Sequence, residues 1–316
     1  MDTAPRVTVT PDDVEAAARR LDGVLRYTPT IRITTDDGRP LTLKLEQLQV
    51  TGSFKARGAT NAIRALPADT PGVVTASGGN HGQAVAWAAT NAGIDAVVVV
   101  PTTSPDLKAD RVAAFGARVI RHGEVYDDAE ALARRIQADE GRTFVHAFGD
   151  PMVVAGQGTV GREMLAQAPD CDALVVGIGG GGLVSGVGVA ASTSDVRVIG
   201  AEPVGAPTLH KAVAAGGVPV EVTVDTITRP SLGARVTTAL NAHLVVEHVD
   251  RVALIDDDAV LAARDWLWDR VRIAAELGGC IGLAAVLTGA VDADHPCVLI
   301  CGANDDWTPP TFPRGR

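Results

Sequence analysis

Lysine is almost absent from this chain. Of its 28 basic residues only four are lysines: Lys44, Lys55, Lys108 and Lys211. Aromatic residues are also scarce, at 3%. No basic run exists, and 38 acidic against 28 basic residues leave a formal net charge of −10. Such a chain repels phosphate backbones, which argues against a nucleic-acid partner. The four cysteines (Cys171, Cys280, Cys297, Cys301) include no CxxC pair. That speaks against a zinc site or a disulfide framework. Apolar runs such as Ala96–Val100 fall far short of the ~20 residues that span a bilayer. The N-terminus lacks the basic-then-apolar pattern of a signal peptide. The expectation is a cytoplasmic protein without a membrane partner.

What remains is ordinary globular material. The chain has 316 residues, 46% of them hydrophobic, enough for more than one core. From residue 70 onward, β-branched runs alternate with alanine-rich stretches. Strands are predicted at Gly72–Thr75, Ala96–Val100, Ala117–Ile120, Thr143–His146, Ala173–Val176, Val196–Ala201 and Val298–Cys301. Helices are predicted at His81–Ala92, Pro105–Phe115, Val125–Ala138, Val153–Ala168 and Leu183–Ala191. Valine runs such as AVVVV indicate strands buried on both faces. The alternation predicts an α/β fold with parallel sheets covered by helices. LTLKLE near residue 43 reads instead as a half-buried, antiparallel strand with Lys44 on its polar face. The segment Thr226–Ala242 shows no clear period. Two βα blocks predict two doubly wound lobes, a large one from residues 1–71 and 150–316 and a small one from 72–149. Ligands in such folds sit at the carboxyl ends of the strands.

Three loops there can carry chemistry. Gly177-Ile-Gly-Gly-Gly-Gly182 follows the strand ALVV and opens a helix. Its backbone N–H groups can converge on a phosphate, aided by the helix N-terminus. A tight turn is the plain alternative, though four glycines in a row cost much chain entropy for that alone. The loop also satisfies G-x-G-x-x-G, with Glu202 placed like the ribose-binding acid of nicotinamide enzymes. Ser77-Gly-Gly-Asn-His-Gly82 offers N–H donors, a hydroxyl and an amide suited to a small carboxylate, or simply a helix cap. His81 there reads as structural rather than as an acid or base. Thr51-Gly-Ser-Phe-Lys-Ala-Arg-Gly58 places Lys55 after a glycine-containing loop beside Phe54. A Schiff-base lysine needs a partly desolvated pocket that exposes a neutral amine. Lys108 and Lys211 lie among polar neighbours in predicted helices.

TGSFKARGA, SGGNHG and GIGGGGL occur in the order seen in fold type II pyridoxal-phosphate (PLP) enzymes. HAFGDP, VAGQGT, GAEP and CGAN add further landmarks, from Thr28 to Asn304. The chain resembles the threonine/serine dehydratase and serine racemase branch, with a tryptophan synthase β-like fold and PLP between the lobes. The resemblance implies that Lys55 forms the Schiff base and then acts as base at Cα. It implies that Gly179, Gly180, Gly181, Gly182 and Leu183 cradle the phosphate. Asn80 would bond the ring oxygen, Phe54 support the ring and Cys301 face the ring nitrogen. Ser77, Gly78, Gly79, Asn80 and His81 would hold the substrate carboxylate. The implied reaction is dehydration of a β-hydroxy amino acid, L-threonine or L-serine, to a 2-oxo acid and ammonia, in a homodimer. A 3-hydroxyaspartate dehydratase or another β-eliminating or β-replacing enzyme is the near alternative. A nicotinamide-dependent oxidoreductase is the distant one.

Several positions depart from the family pattern. Gly78 stands where racemases carry a second serine, the base on the opposite face of Cα. Cys301 replaces a common serine; a thiolate there could pair with a ring cation. In the family's divalent-cation site, Glu202 and the Ala206 carbonyl match but Thr208 replaces an aspartate. Weak divalent binding or none is expected, with a monovalent cation as the substitute. No C-terminal regulatory domain is expected after CGAN.

Overall fold

A computed structural model describes residues 8–308. The strands are β1 (Thr30–Thr34), β2 (Pro40–Leu45), β3 (Val73–Ala76), β4 (Ala96–Val100), β5 (Arg118–Arg121), β6 (Thr143–Phe144), β7 (Ala173–Gly177), β8 (Arg197–Pro203), β9 (Arg251–Ile255) and β10 (Pro296–Ile300). The helices are α1 (Pro11–Leu21), α2 (Lys55–Arg64), α3 (Asn80–Ala92), α4 (Asp106–Ala114), α5 (Tyr126–Glu140), α6 (Pro151–Gln167), α7 (Gly182–Ala191), α8 (Thr208–Ala214), α9 (Arg229–Leu232), α10 (Ala239–His248), α11 (Asp257–Val271) and α12 (Leu277–Leu287).

The strands form two sheets, ordered β1-β2-β10-β7-β8-β9 and β5-β4-β3-β6. Every pairing is parallel except β1 with β2. The valines explain the parallel arrangement. Val97 to Val100 have no exposed surface at all, so each face of β4 is covered. Full burial of one such side chain contributes roughly 1.5–3 kcal/mol before entropy is counted. Apolar clusters line both faces of the larger sheet and of the smaller one.

Local chemistry sets the helix ends. Thr10 and Asp13 form a reciprocal capping box at α1, which satisfies otherwise orphaned N–H groups. Asp150 accepts from Met152 N and Val153 N at α6, with Pro151 in the first turn. α3 stops at Gly93, whose φ of 70° suits a residue without Cβ.

The reading of LTLKLE needs correcting. β2 does pair antiparallel with β1, but its other edge pairs parallel with β10. It therefore lies inside the sheet, and its supposed polar face is buried: Thr42 is 4% exposed and Lys44 0%. Lys44 Nζ donates to Thr28 O (2.7 Å), Gln167 Oε1 (2.7 Å) and Glu163 Oε2 (2.5 Å). Glu163 also pairs with Arg57 Nη1 (2.7 Å), and Arg57 grips Glu46 through Nε (2.8 Å) and Nη2 (2.7 Å). Two cations and two carboxylates thus neutralise one another between β2, α2 and α6. Among the described residues no helix is long and apolar enough to cross a membrane.

Candidate active site

The loops singled out in the sequence converge at the carboxyl ends of the strands. Backbone pairing joins two of the motifs directly. Phe54 N donates to Cys301 O (3.0 Å) and Ala303 N to Gly52 O (3.0 Å). Ser53 and Gly302 form an isolated antiparallel bridge. The turn before it is strained: Thr51 holds a φ of 64°, unfavourable for a β-branched residue.

Lys55 opens α2. Its Nζ donates to Ala147 O at 2.7 Å and lies 5.2 Å from the Phe54 ring centroid. Burial pushes its pKa down to about 8, with Glu276 and Cys301 opposing. A substantial neutral fraction near physiological pH follows. Cys301 is 5% exposed, and its Sγ points to Leu299 O at 3.6 Å. Burial raises its pKa to about 12. Among the protein's own groups the thiol is therefore neutral at physiological pH.

The glycine loop runs from β7 into α7. Backbone N–H groups from Gly179 to Val184 donate to no protein acceptor among the described residues. They form an open donor nest at a helix N-terminus. Packing also demands the glycines. A side chain at Gly180 would collide with the Phe148 ring, and one at Gly182 would lie 2.6 Å from Phe148 O. Asn241, fully buried, braces the loop by donating to Phe148 O (2.9 Å) and Gly180 O (3.0 Å). Thr237 Oγ1 donates to Gly180 O as well (3.0 Å). Close approach selects the glycines, and it leaves N–H groups without a protein acceptor among the described residues.

At the β3–α3 turn, the N–H groups of Gly78, Asn80 and His81 have no protein acceptor among the described residues. Ser77 Oγ accepts from Gly79 N (3.3 Å). His81 is 3% exposed and its Nε2 bonds Val145 O at 3.0 Å. Burial depresses its pKa to about 3. Its ring is a neutral structural group, and only its backbone N–H faces the loop. Gly79 looks across at Pro230 O, while Gly179 packs against Ser231 and Leu232 of α9.

One group was not anticipated. Glu276, just before α12, accepts from Asn80 Nδ2 (2.7 Å) and Asn304 N (3.2 Å). Burial raises its carboxyl pKa, while those two bonds lower it.

Glu202 sits elsewhere. It is fully buried and accepts from Leu209 N (2.7 Å) and His210 N (2.8 Å). It cannot offer a ribose contact, so the dinucleotide reading loses its acid. Thr208 Oγ1 donates to Ala234 O (2.7 Å), a bond that an ionised aspartate could not make. Among the described residues no three His, Cys, Asp or Glu groups assemble a metal site. The residues present do not build the divalent centre.

A half-buried lysine, a donor nest and a second N–H-lined turn together form a donor set that fits a phosphorylated aldehyde cofactor. The family model for pyridoxal-phosphate dependent enzyme matches residues 21–302. The chain belongs to this family. An L-threonine ammonia-lyase from Thermotoga maritima is 37% identical over 94% of this chain and 76% of its own length. A serine racemase from Oryza sativa subsp. indica is 37% identical over 87% and 83%. Among solved structures, maize serine racemase superposes with a TM-score of 0.90 at 33% identity, covering 95% of each chain. A threonine deaminase from T.th. gives 0.90 at 34%, covering 95% of this chain and all of its own. The fold and the cofactor, pyridoxal phosphate, follow from membership. Both relatives named for elimination and relatives named for racemisation stand at similar distance.

Proposed function

We propose that this chain is an ammonia-lyase that dehydrates L-threonine or L-serine to a 2-oxo acid and ammonia. The observation that carries this reading is Gly78. Inverting a stereocentre by a two-base route needs a proton-bearing group on each face of Cα. Glycine carries none; an added Cβ there would meet Ser104 Oγ at 3.3 Å. Elimination needs one base, and Lys55 provides it.

When bound, pyridoxal phosphate supplies an electron sink for the carbanion at Cα. The chain's residues do the rest. The N–H groups of Gly179 to Leu183 would hold the phosphate, and Phe54 and Asn80 would fix the ring. The turn from Ser77 to His81 holds the substrate carboxylate through Gly78, Asn80 and His81 N–H. Lys55, held beside Ala147 O, takes the Cα proton through its neutral amine. The Cβ–O bond then breaks and the hydroxide leaves as water, its proton replacing the one that Lys55 took from Cα. The released enamine takes up water and yields the 2-oxo acid and ammonia. Cys301 keeps a neutral thiol at the ring-nitrogen position, so little charge accumulates on the ring and expulsion of the leaving group is favoured.

We also infer a large lobe of residues 1–71 and 150–316, a small lobe of 72–149, and a homodimer. Oxo-acid release from a panel of β-hydroxy amino acids, with chiral analysis of recovered substrate, tests the reaction. Serine and threonine are expected to give oxo acid with little D-enantiomer. Rapid D-enantiomer formation without oxo acid would refute the assignment. Light scattering showing one 32.5 kDa chain would refute the dimer.

A further inference from the structure

We propose that Glu276 and Asn304 are positioning residues. They lock the Asn80 amide so that what it has left to offer the cofactor is an N–H donor. The inference rests on the reading that Asn80 contacts the cofactor ring, and adds what sets its orientation.

An Asn side chain has two faces that differ only in where the donor sits, and its surroundings choose between them. Here the choice propagates from groups of fixed character. Thr51 O can only accept, and Asn304 Nδ2 donates to it at 2.6 Å. That fixes the Asn304 amide. Its Nδ2 then spends its other hydrogen on Asn80 Oδ1 at 2.8 Å. On the other side, Asn80 Nδ2 donates to Glu276 Oε1 at 2.7 Å. Glu276 is itself held by Asn304 N on its second oxygen. Turning the Asn80 amide over would set its oxygen against a carboxylate and its NH₂ against another NH₂. Both contacts would become repulsive in a buried setting. In the observed orientation Oδ1 is committed and one Nδ2 hydrogen is used. One N–H remains, suited to an oxygen that carries negative charge.

The packing supports the assignment. Thr51 is one of two non-glycine residues with positive φ among the described residues, and its carbonyl starts the chain of bonds. A side chain at Gly52 would lie 2.6 Å from Asn304 Oδ1, so that turn must also be glycine. Arg111 of α4 donates to Asn304 O at 3.2 Å, holding the loop from a second side.

The test is a double-mutant cycle on cofactor binding. Pyridoxal phosphate affinity by equilibrium dialysis and the visible band of the loaded protein are measured for wild type, Asn80→Ala, Glu276→Gln and Asn304→Asp. Glu276→Gln with Asn80→Ala completes the cycle. Gln can donate or accept, so the flip is no longer penalised; Asp at 304 repels Asn80 Oδ1. Each single change is expected to weaken binding about tenfold and to shift the band. Adding Glu276→Gln to Asn80→Ala should change affinity less than twofold. An equal loss in both backgrounds would overturn the positioning role, because Glu276 would then act without Asn80. So would an unchanged band in Glu276→Gln and Asn304→Asp alongside a shifted one in Asn80→Ala. If Asn80→Ala itself changes nothing, the underlying ring-contact reading fails instead. Should Glu276→Gln fail to fold, Asn304→Asp decides alone.

Discussion

Arg57→Met attacks the charge cluster behind Lys55 without touching the cleft. Arg57 is 2% exposed and lies one residue beyond Ala56 on the first turn of α2, which Lys55 opens. It provides both charge-assisted hydrogen bonds to Glu46, through Nε and Nη2. Glu163 would keep Lys44. Glu46, 0% exposed, would keep only the Thr28 hydroxyl, at 2.5 Å. Stranding one buried charge by removing its partner costs about 3–5 kcal/mol. Domains have about 5–15 kcal/mol in all, so this is a large fraction. At roughly 2–4 °C per kcal/mol, the melting midpoint should fall on the order of 10 °C.

The sign of the pH dependence is also fixed. In the native protein burial raises the Glu46 pKa, Arg57 lowers it further, and the net direction is down. Without Arg57, only the Thr28 hydroxyl and the Lys44 charge oppose burial, the largest single influence, and the folded pKa is expected to rise above the unfolded value. Such a group penalises folding only when the unfolded chain would be ionised. The deficit is therefore absent at acid pH and grows as pH rises past about 4.3. Calorimetry of wild type and Arg57→Met at pH 5 and pH 8 should show a wider gap at pH 8. Adding Glu46→Met should recover most of the loss, since an uncharged apolar pair replaces the ion pair. A gap below about 3 °C that is identical at both pH values would refute the argument.

Other outcomes follow from the same geometry. Lys55→Ala should abolish both activity and the visible band of the loaded protein. In cofactor-free protein, pyridoxal phosphate uptake should rise through pH 8 as the depressed Lys55 amine loses its proton. Glu276 raises that midpoint, Cys301 and His81 are neutral there and His146 is held down by burial; a midpoint near 10.5 would sink the desolvated-lysine account. Gly180→Ala forces a methyl into the Phe148 ring; overpacking of about 1–3 kcal/mol should appear as at least tenfold weaker cofactor binding, relieved by adding Phe148→Ala. Gly78→Ser meets Ser104 Oγ at 3.3 Å and Val100 Cγ1 at 3.5 Å, so with a small shift of Ser104 the protein should fold and gain slow racemisation, read by chiral chromatography.

Strand β4 was legible to the residue because four consecutive valines, preceded by an alanine, lie between Asp95 and Pro101. The three loops were legible because glycine density and order are local signals. Helix α12 was not: nearly every side chain in it is buried, so no period of 3.6 survives in LGGCIGLAAVL. The segment 226–242 hid α9 and the start of α10 because a four-residue helix is too short to show a period. Glu276 and Asn304 lie 28 positions apart in sequence and meet Asn80 only through the fold. One clue was available, a single acid at the threshold of a wholly apolar helix, which seldom goes unpartnered.

Scarcity of lysine narrowed the search, yet Lys44 shows why burial alone would have chosen wrongly. Lys44 is more buried than Lys55, and burial drives both pKa values down. Their donor inventories separate them. An ammonium has three hydrogens. Those of Lys44 go to a carbonyl, a carboxylate and an amide oxygen, and Tyr27 stacks beneath it. Removing its proton would strand Glu163 against a neutral amine, so the charge is structurally required. Lys55 spends one hydrogen on Ala147 O and has no carboxylate within bonding distance among the described residues. Losing its proton breaks no ion pair and relieves a desolvated charge. Reactivity in this pair follows from unfilled hydrogen-bonding capacity in a dry setting, and Lys55 has that property while Lys44 does not.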